Sequence, residues 1–262
     1  MDSFVFTKIM FNFVVVKIVF DIINCSQEKY FVFLEIMAIQ ILVVRFKKYL
    51  QPHHLPLFRG AMIAKTMKNE DNGLMHNHVG DGFRYSYPLV QYKLIENRAA
   101  IVAINEGIDQ MKNIFDVNDL IVNIGNKRVL LEVDNVKIGN FDISCHDKFY
   151  SYKILNWLPL NDDNYKIYNS IDTLIERCIF LERILVGNIL SMLKGLGIFI
   201  DSEVKCSIQD ILDIRVEEAN HNVKLLAFDI KFKTNVMLPE FIGLGKQTSL
   251  GCGTLFLSNR KI

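Results

Sequence analysis

Two histidines one residue apart, His76 and His78, stand in the polar stretch LMHNHVGDGFRYSYPLVQYK, residues 74–93. Histidine titrates near neutrality, so a pair can present one ring as base and the other as acid at the same pH. In an extended segment the i, i+2 spacing puts both imidazoles on one side of the chain. RNA cleavage through the ribose needs both roles. One group takes the 2′-hydroxyl proton, the other protonates the departing 5′-oxygen, and a 2′,3′-cyclic phosphate remains. Lys68, Arg84 and Tyr85 are placed to orient or neutralise the phosphate. His-x-His is also a metal-ligand spacing, but Asp81 is the only carboxylate close at hand and zinc wants more ligands. A third reading leaves both rings as surface histidines without a role. His53 and His54 are adjacent and point apart if extended, and His146 and His221 are isolated.

A second stretch with chemical potential is GLGKQTSLGCG, residues 243–253. Gly243, Gly245, Gly251 and Gly253 frame Lys246, Gln247, Thr248, Ser249 and Leu250. Glycine lets backbone amides approach an anion with no side chain intervening, so a phosphate backbone is one partner for such a loop. The common phosphate loops do not fit: Thr248 breaks Gly-x-Gly-x-x-Gly, and no Gly-Lys-Ser/Thr follows a four-residue gap. A glycine-rich hairpin at a sheet edge is the other reading. Lys47, Lys48, Lys65, Lys231 and Lys233 are candidates for an RNA track with Lys68 and Lys246. Trp157, beside Leu158-Pro159, reads as core.

The elements around these stretches follow from periodicity. Ile39, Ile41 and Val43 alternate with polar residues over 38–46, a half-buried strand. Residues 58–67 read as a helix, 84–95 and 99–104 as strands about the turn Glu96-Asn97-Arg98, 106–115 as a helix, and 128–133 as the end of a further strand. That is the ferredoxin-like order. The second half repeats it: a strand at 148–160, then a helix over 170–197 with Leu174, Cys178, Leu181, Leu185 and Ile189 on one face and Gly195 and Gly197 as stops. Strands follow at 205–218 and 223–235, a short helix or turn at 238–245, and a final strand at 253–257. The expected fold is α+β, with tandem ferredoxin-like (RRM-like) domains at 37–142 and 143–262.

Composition narrows the partners. The chain has 262 residues, half of them hydrophobic, and a formal charge of +1. It is no bulk polycation, so any nucleic-acid contact must come from local basic patches. Cys25, Cys145, Cys178, Cys206 and Cys252 are scattered without a Cys-x-x-Cys pair, against a disulfide framework or a zinc knuckle, and the expected location is cytoplasmic. Residues 1–36 are rich in Phe, Ile and Val but broken by Lys8, Lys17 and Asp21, short of the ~18 apolar residues a membrane span wants. They read as an extension ahead of the domain that opens near Met37, or else as a membrane-peripheral segment.

The frame Gly-hydrophobic-Gly, five residues, Gly-hydrophobic-Gly and a terminal strand resembles the signature of CRISPR-associated repeat-processing endoribonucleases, the sixth family of Cas proteins within the RAMP superfamily. LPLFRGAMI (55–63), HNH (76–78), RYSYPLVQYK (84–93), NWLPLNDDNY (156–165), LERILVGNIL (181–190) and FKTNVMLPEFIGLGK (232–246) are similar to its type I-B branch. The resemblance implies metal-independent cleavage of CRISPR repeat RNA to crRNA with no cofactor. His76 and His78 would be the catalytic pair, Lys68 and Tyr85 their helpers. Arg84 and the loop (Gly243, Gly245, Lys246, Thr248, Ser249, Gly251, Gly253) would meet RNA, positioning it rather than reading its sequence. It also allows other Cas effector subunits or a homodimer as partners, and a form that binds repeat RNA without cutting it. It implies no membrane partner.

Overall fold

The computed structural model describes residues 38–66, 78–79, 82–83, 87–115, 120–219 and 223–259. The chain divides into two compact units, the first through Asn140 and the second from Phe141. In the first, β1 (Ala38–Tyr49) leads through a single 3-10 turn at Pro52–His54 into α1 (Leu55–Thr66). The two-residue strands β2 (His78–Val79) and β3 (Gly82–Phe83) pair with each other. β4 (Val90–Ile95), β5 (Arg98–Ile104), α2 (Glu106–Phe115), the hairpin β6 (Ile121–Ile124) and β7 (Lys127–Leu130), and β8 (Val133–Asp142) complete it.

The sheet order β4-β5-β1-β8 is that of a ferredoxin-like split βαβ. Glu96 and Asn97, both at positive φ, form the tight turn between β4 and β5. Of the strand expected over 84–95, the described part is β4 from Val90, and residues 87–89 ahead of it are irregular, since Pro88 lacks the amide that a strand interior needs. The stretch 128–133 does not close the sheet. Residues 127–130 pair with β6 in a separate hairpin, and β8 supplies the fourth strand. Leu42, Val44, Phe46, Phe58, Met62, Tyr92, Ile101 and Met111 form the core with Leu120, Val122 and Ile124 of the hairpin region. The simple alternation read for β1 fails at Leu42, since Ile39, Ile41, Gln91, Lys93, Val102 and Ile104 are buried as well. A sheet buried on both faces loses the apolar-polar alternation of a one-sided strand.

The second unit repeats the strand order. It contains β9 (Cys145–Trp157), α3 (Asp162–Ser170), α4 (Leu174–Gly195), β10 (Cys206–Ala219), β11 (Val223–Val236) and β12 (Thr254–Leu257), with sheet order β10-β11-β9-β12. The long helix read over 170–197 is α4, which starts at Leu174, and α3 ahead of it is a separate short helix. Asn161 caps α3 by accepting from the Asn164 amide at 2.7 Å, and Thr173 caps α4 by accepting from Glu176 N at 3.2 Å. Leu181, Leu185 and Ile189 are buried as their spacing requires, whereas Leu174, at the first position of α4, is 65% exposed. Gly197, at φ +72°, ends the helix in the left-handed conformation that glycine adopts most readily. Between β11 and β12 the second ferredoxin helix is absent. Residues 237–253 run instead as an irregular loop broken by a 3-10 turn at Thr248–Leu250.

Candidate nucleic-acid interface

Of the residues expected to cleave RNA, Lys68, His76 and Tyr85 lie outside the described residues, as does Arg84, expected to hold RNA. His78 opens β2 with its backbone opposite Phe83, and its side chain lies outside them too. The glycine loop is described throughout.

The loop is held at both ends and supported in the middle. At its start, the buried Tyr152 hydroxyl accepts from the Leu238 amide at 2.8 Å and donates to the Leu238 carbonyl at 3.1 Å. Burial pushes the Tyr152 hydroxyl up to about 12, so it keeps the proton it donates. Gly243 then bridges to Thr254, and Leu244 N donates to Gly253 O at 2.9 Å, which brings the two Gly-x-Gly segments side by side. A Cβ on Gly253 would stand 1.8 Å from the Leu244 carbonyl oxygen, and its φ is +63°. A Cβ on Gly245, at φ +89°, would lie 3.0 Å from the Trp157 ring. These two glycines are therefore required by close backbone approach and by conformation.

Beneath the loop lies the tripeptide Asn156-Trp157-Leu158. Gly253 N donates to Asn156 O at 2.8 Å, and Lys246 N donates to Leu158 O at 3.3 Å. The Trp157 indole between them is fully buried and donates to Asn188 Oδ1 on α4 at 2.9 Å. It is a core residue, as its sequence context implied. β9 carries one extra residue against β11 between Ile154 and Trp157, and Asn156 in that bulge has φ +51°.

Burial sorts the loop's residues. Gly243, Leu244, Thr248, Cys252 and Gly253 are buried, Gly245, Gln247, Ser249 and Gly251 half-buried, and Lys246 exposed. Gln247, at φ +54°, turns the chain into the 3-10 turn, and the amides of Gln247, Thr248 and Ser249 have no acceptor among the described residues. Lys246 has no ion-pair partner among them either. A cation and three amides without acceptors in one stretch constitute hydrogen-bonding capacity suited to an anion.

Asn156 is the residue that sequence reading missed. Its backbone amide donates to Asp229 Oδ1 at 2.6 Å and its side-chain amide to Cys252 Sγ at 3.4 Å. Its side-chain oxygen accepts from Arg215 Nη2 at 3.3 Å, and Arg215 Nη1 pairs with Asp229 Oδ2 at 3.0 Å. Burial works against the Arg215 charge, but Asp229, Glu217 and Asp213 outweigh it and hold the guanidinium more firmly protonated than usual. The available signal was the placement of Asn156 at the head of NWLPL, and the partners 59 and 73 residues away gave none.

Among the described residues no cluster of His, Cys, Asp and Glu is placed to hold a metal ion, and no helix is long and apolar enough to cross a membrane.

Two four-stranded antiparallel sheets in the same split order, the second closed by a glycine loop instead of a helix, define a tandem ferredoxin-like protein. Residues 37–142 match the Cas6b N-terminal domain and residues 144–257 the Cas6b C-terminal domain, and the chain belongs to the Cas6b family. It is similar to a solved structure described as Cas6b, at 30% identity over 84% of this chain and 99% of that one, with a TM-score of 0.76. A second structure, described as the CRISPR RNA processing endoribonuclease Cas6b, is 25% identical over 84% of this chain and 99% of that one, at a TM-score of 0.64. An uncharacterized protein of Methanocaldococcus jannaschii is 31% identical over 129 residues, 49% of this chain and 84% of its own length.

Proposed function

We propose that this protein is an endoribonuclease that cuts CRISPR repeat RNA to crRNA by attack of a ribose 2′-hydroxyl, without a metal ion. The observation that carries the reading is membership of the Cas6b family across both domains, residues 37–142 and 144–257, together with similarity to a structure described as a CRISPR RNA processing endoribonuclease. In this reading His76 and His78 share the base and acid roles. Lys68 and Tyr85 assist at the phosphate, and Arg84 contributes to holding the RNA. The glycine loop lies along the phosphate backbone, where Lys246 supplies charge and Ser249 and the adjoining amides supply hydrogen bonds. Gly243, Gly245, Gly251 and Gly253 give the chain its path, and Thr248, whose side chain is buried, contributes its backbone amide. Such contacts position the RNA, so discrimination between sequences must arise elsewhere on the protein. The same role is compatible with assembly alongside other Cas subunits or a second copy.

The test is incubation of the protein with repeat RNA in excess EDTA, with analysis of the product ends. Cleavage at one position leaving a 2′,3′-cyclic phosphate is the expected result. Binding without cleavage would replace the enzyme with a repeat-RNA-binding subunit, and cleavage abolished by EDTA would indicate a metal-dependent nuclease.

A further inference from the structure

We infer that Asn156, Asp229 and Arg215 are positioning residues that set where the glycine loop presents Lys246 to RNA; this rests on the reading that the loop contacts RNA. Three strands meet at Asn156. It sits in the β9 bulge at φ +51°, opposite Asp229 of β11, and Arg215 of β10 reaches its side-chain oxygen. From that point its carbonyl accepts Gly253 N at 2.8 Å and its side-chain amide reaches Cys252 Sγ, which fixes the returning end of the loop. Gly253 O then accepts Leu244 N at 2.9 Å, which ties the outgoing end to the same anchor two residues before Lys246.

The network is not itself an RNA contact. Arg215 is paired with Asp213 at 3.0 Å, Glu217 at 2.9 Å and Asp229 at 3.0 Å, so its cationic charge is more than neutralised locally and its donors are taken up by these carboxylates and Asn156. A guanidinium ringed by three carboxylates repels phosphate more than it attracts it. The hydrogen bond from Asn156 N to Asp229 Oδ1, at 2.6 Å, is the link through which this cluster fixes the bulge.

The experiment measures affinity for a repeat RNA carrying a 2′-deoxy nucleotide at the scissile position, which is bound and not cut, over a series of salt concentrations. Lys246→Ala is expected to weaken binding and to reduce the slope of log K against log salt by about one phosphate contact. Asp229→Ala, which removes the acceptor of the Asn156 amide, is expected to reduce the slope equally, and Asn156→Gly, which keeps the backbone bonds to Asp229 and Gly253 and loses the side-chain contacts to Cys252 and Arg215, to reduce it in part. Each is expected to add nothing when combined with Lys246→Ala. Asp229→Asn, which keeps an acceptor for the Asn156 amide, is expected to recover most of the loss. If Lys246→Ala lowers the slope while Asp229→Ala and Asn156→Gly leave it unchanged, the positioning role is overturned and the loop reading survives. If Lys246→Ala itself changes neither affinity nor slope, the loop reading falls and takes the inference with it. Should Asp229→Ala fail to fold, Asn156→Gly and Arg215→Lys decide the matter by the same slope.

Discussion

At the scale of single residues, glycine serves opposite purposes in different parts of this chain. Gly253 is fixed by its surroundings: an added Cβ meets the Leu244 carbonyl at 1.8 Å and the backbone is in the left-handed region. Gly253→Ala should lower stability by about 2–4 kcal/mol, read from the midpoint of urea unfolding. Gly60 in α1 and Gly187 in α4 have nothing within 4 Å of an added Cβ. Ala at either should raise stability by about 0.5–1 kcal/mol, because it reduces the freedom of the unfolded chain. Equal stability of Gly253→Ala and wild type would mean that the loop can relax away from Leu244. Tyr152→Phe leaves the Leu238 amide and carbonyl without their shared partner inside the unit. That change should cost about 1–3 kcal/mol by the same measurement.

At the scale of elements, an ion cluster ties three strands of the first sheet together. Arg45 Nε on β1 lies 2.7 Å from Asp134 Oδ2 on β8, and Arg98 Nη1 on β5 lies 2.8 Å from the same oxygen. Partial burial works to raise the Asp134 carboxyl, but Arg45 and Arg98 outweigh it and hold it below the usual carboxylate range. A folded-state value below the unfolded one makes the stabilisation complete above the ordinary pKa of about 4 and progressively lost as pH falls through the folded value. Asp134→Asn should therefore lower the melting temperature at pH 7 and cease to do so at the acid end of a pH series. A difference that persists unchanged below pH 3 would contradict this assignment. Elements with one buried face were legible in the sequence, as the hydrophobic spacing of α4 shows. β1 was legible as a strand, but not the burial of both its faces, because Leu42, Val44 and Phe46 are covered as well as Ile39 and Ile41. Asp134 gives no local signal because Arg45 is 89 residues away, and Asn156 is similar, since its bulge exists only in register with β11.

At the scale of the whole molecule, a formal charge of +1 leaves little general attraction for RNA. Affinity must come from a few local contacts, so binding should weaken steeply with salt in proportion to their number. The candidate site was legible unevenly. The glycine frame announced a loop with close backbone approach, and the structure places that loop where a ferredoxin-like unit would otherwise carry its second helix. Its anchoring cluster could not be read from composition or spacing, because it is assembled from β9, β10 and β11. Catalysis by the histidine pair is decided by single-turnover cleavage of repeat RNA in EDTA by wild type, His76→Ala and His78→Ala. Each substitution should lower the cleavage rate by about 10²–10⁴-fold with RNA affinity nearly unchanged. Undiminished cleavage by both variants would contradict catalysis by the pair.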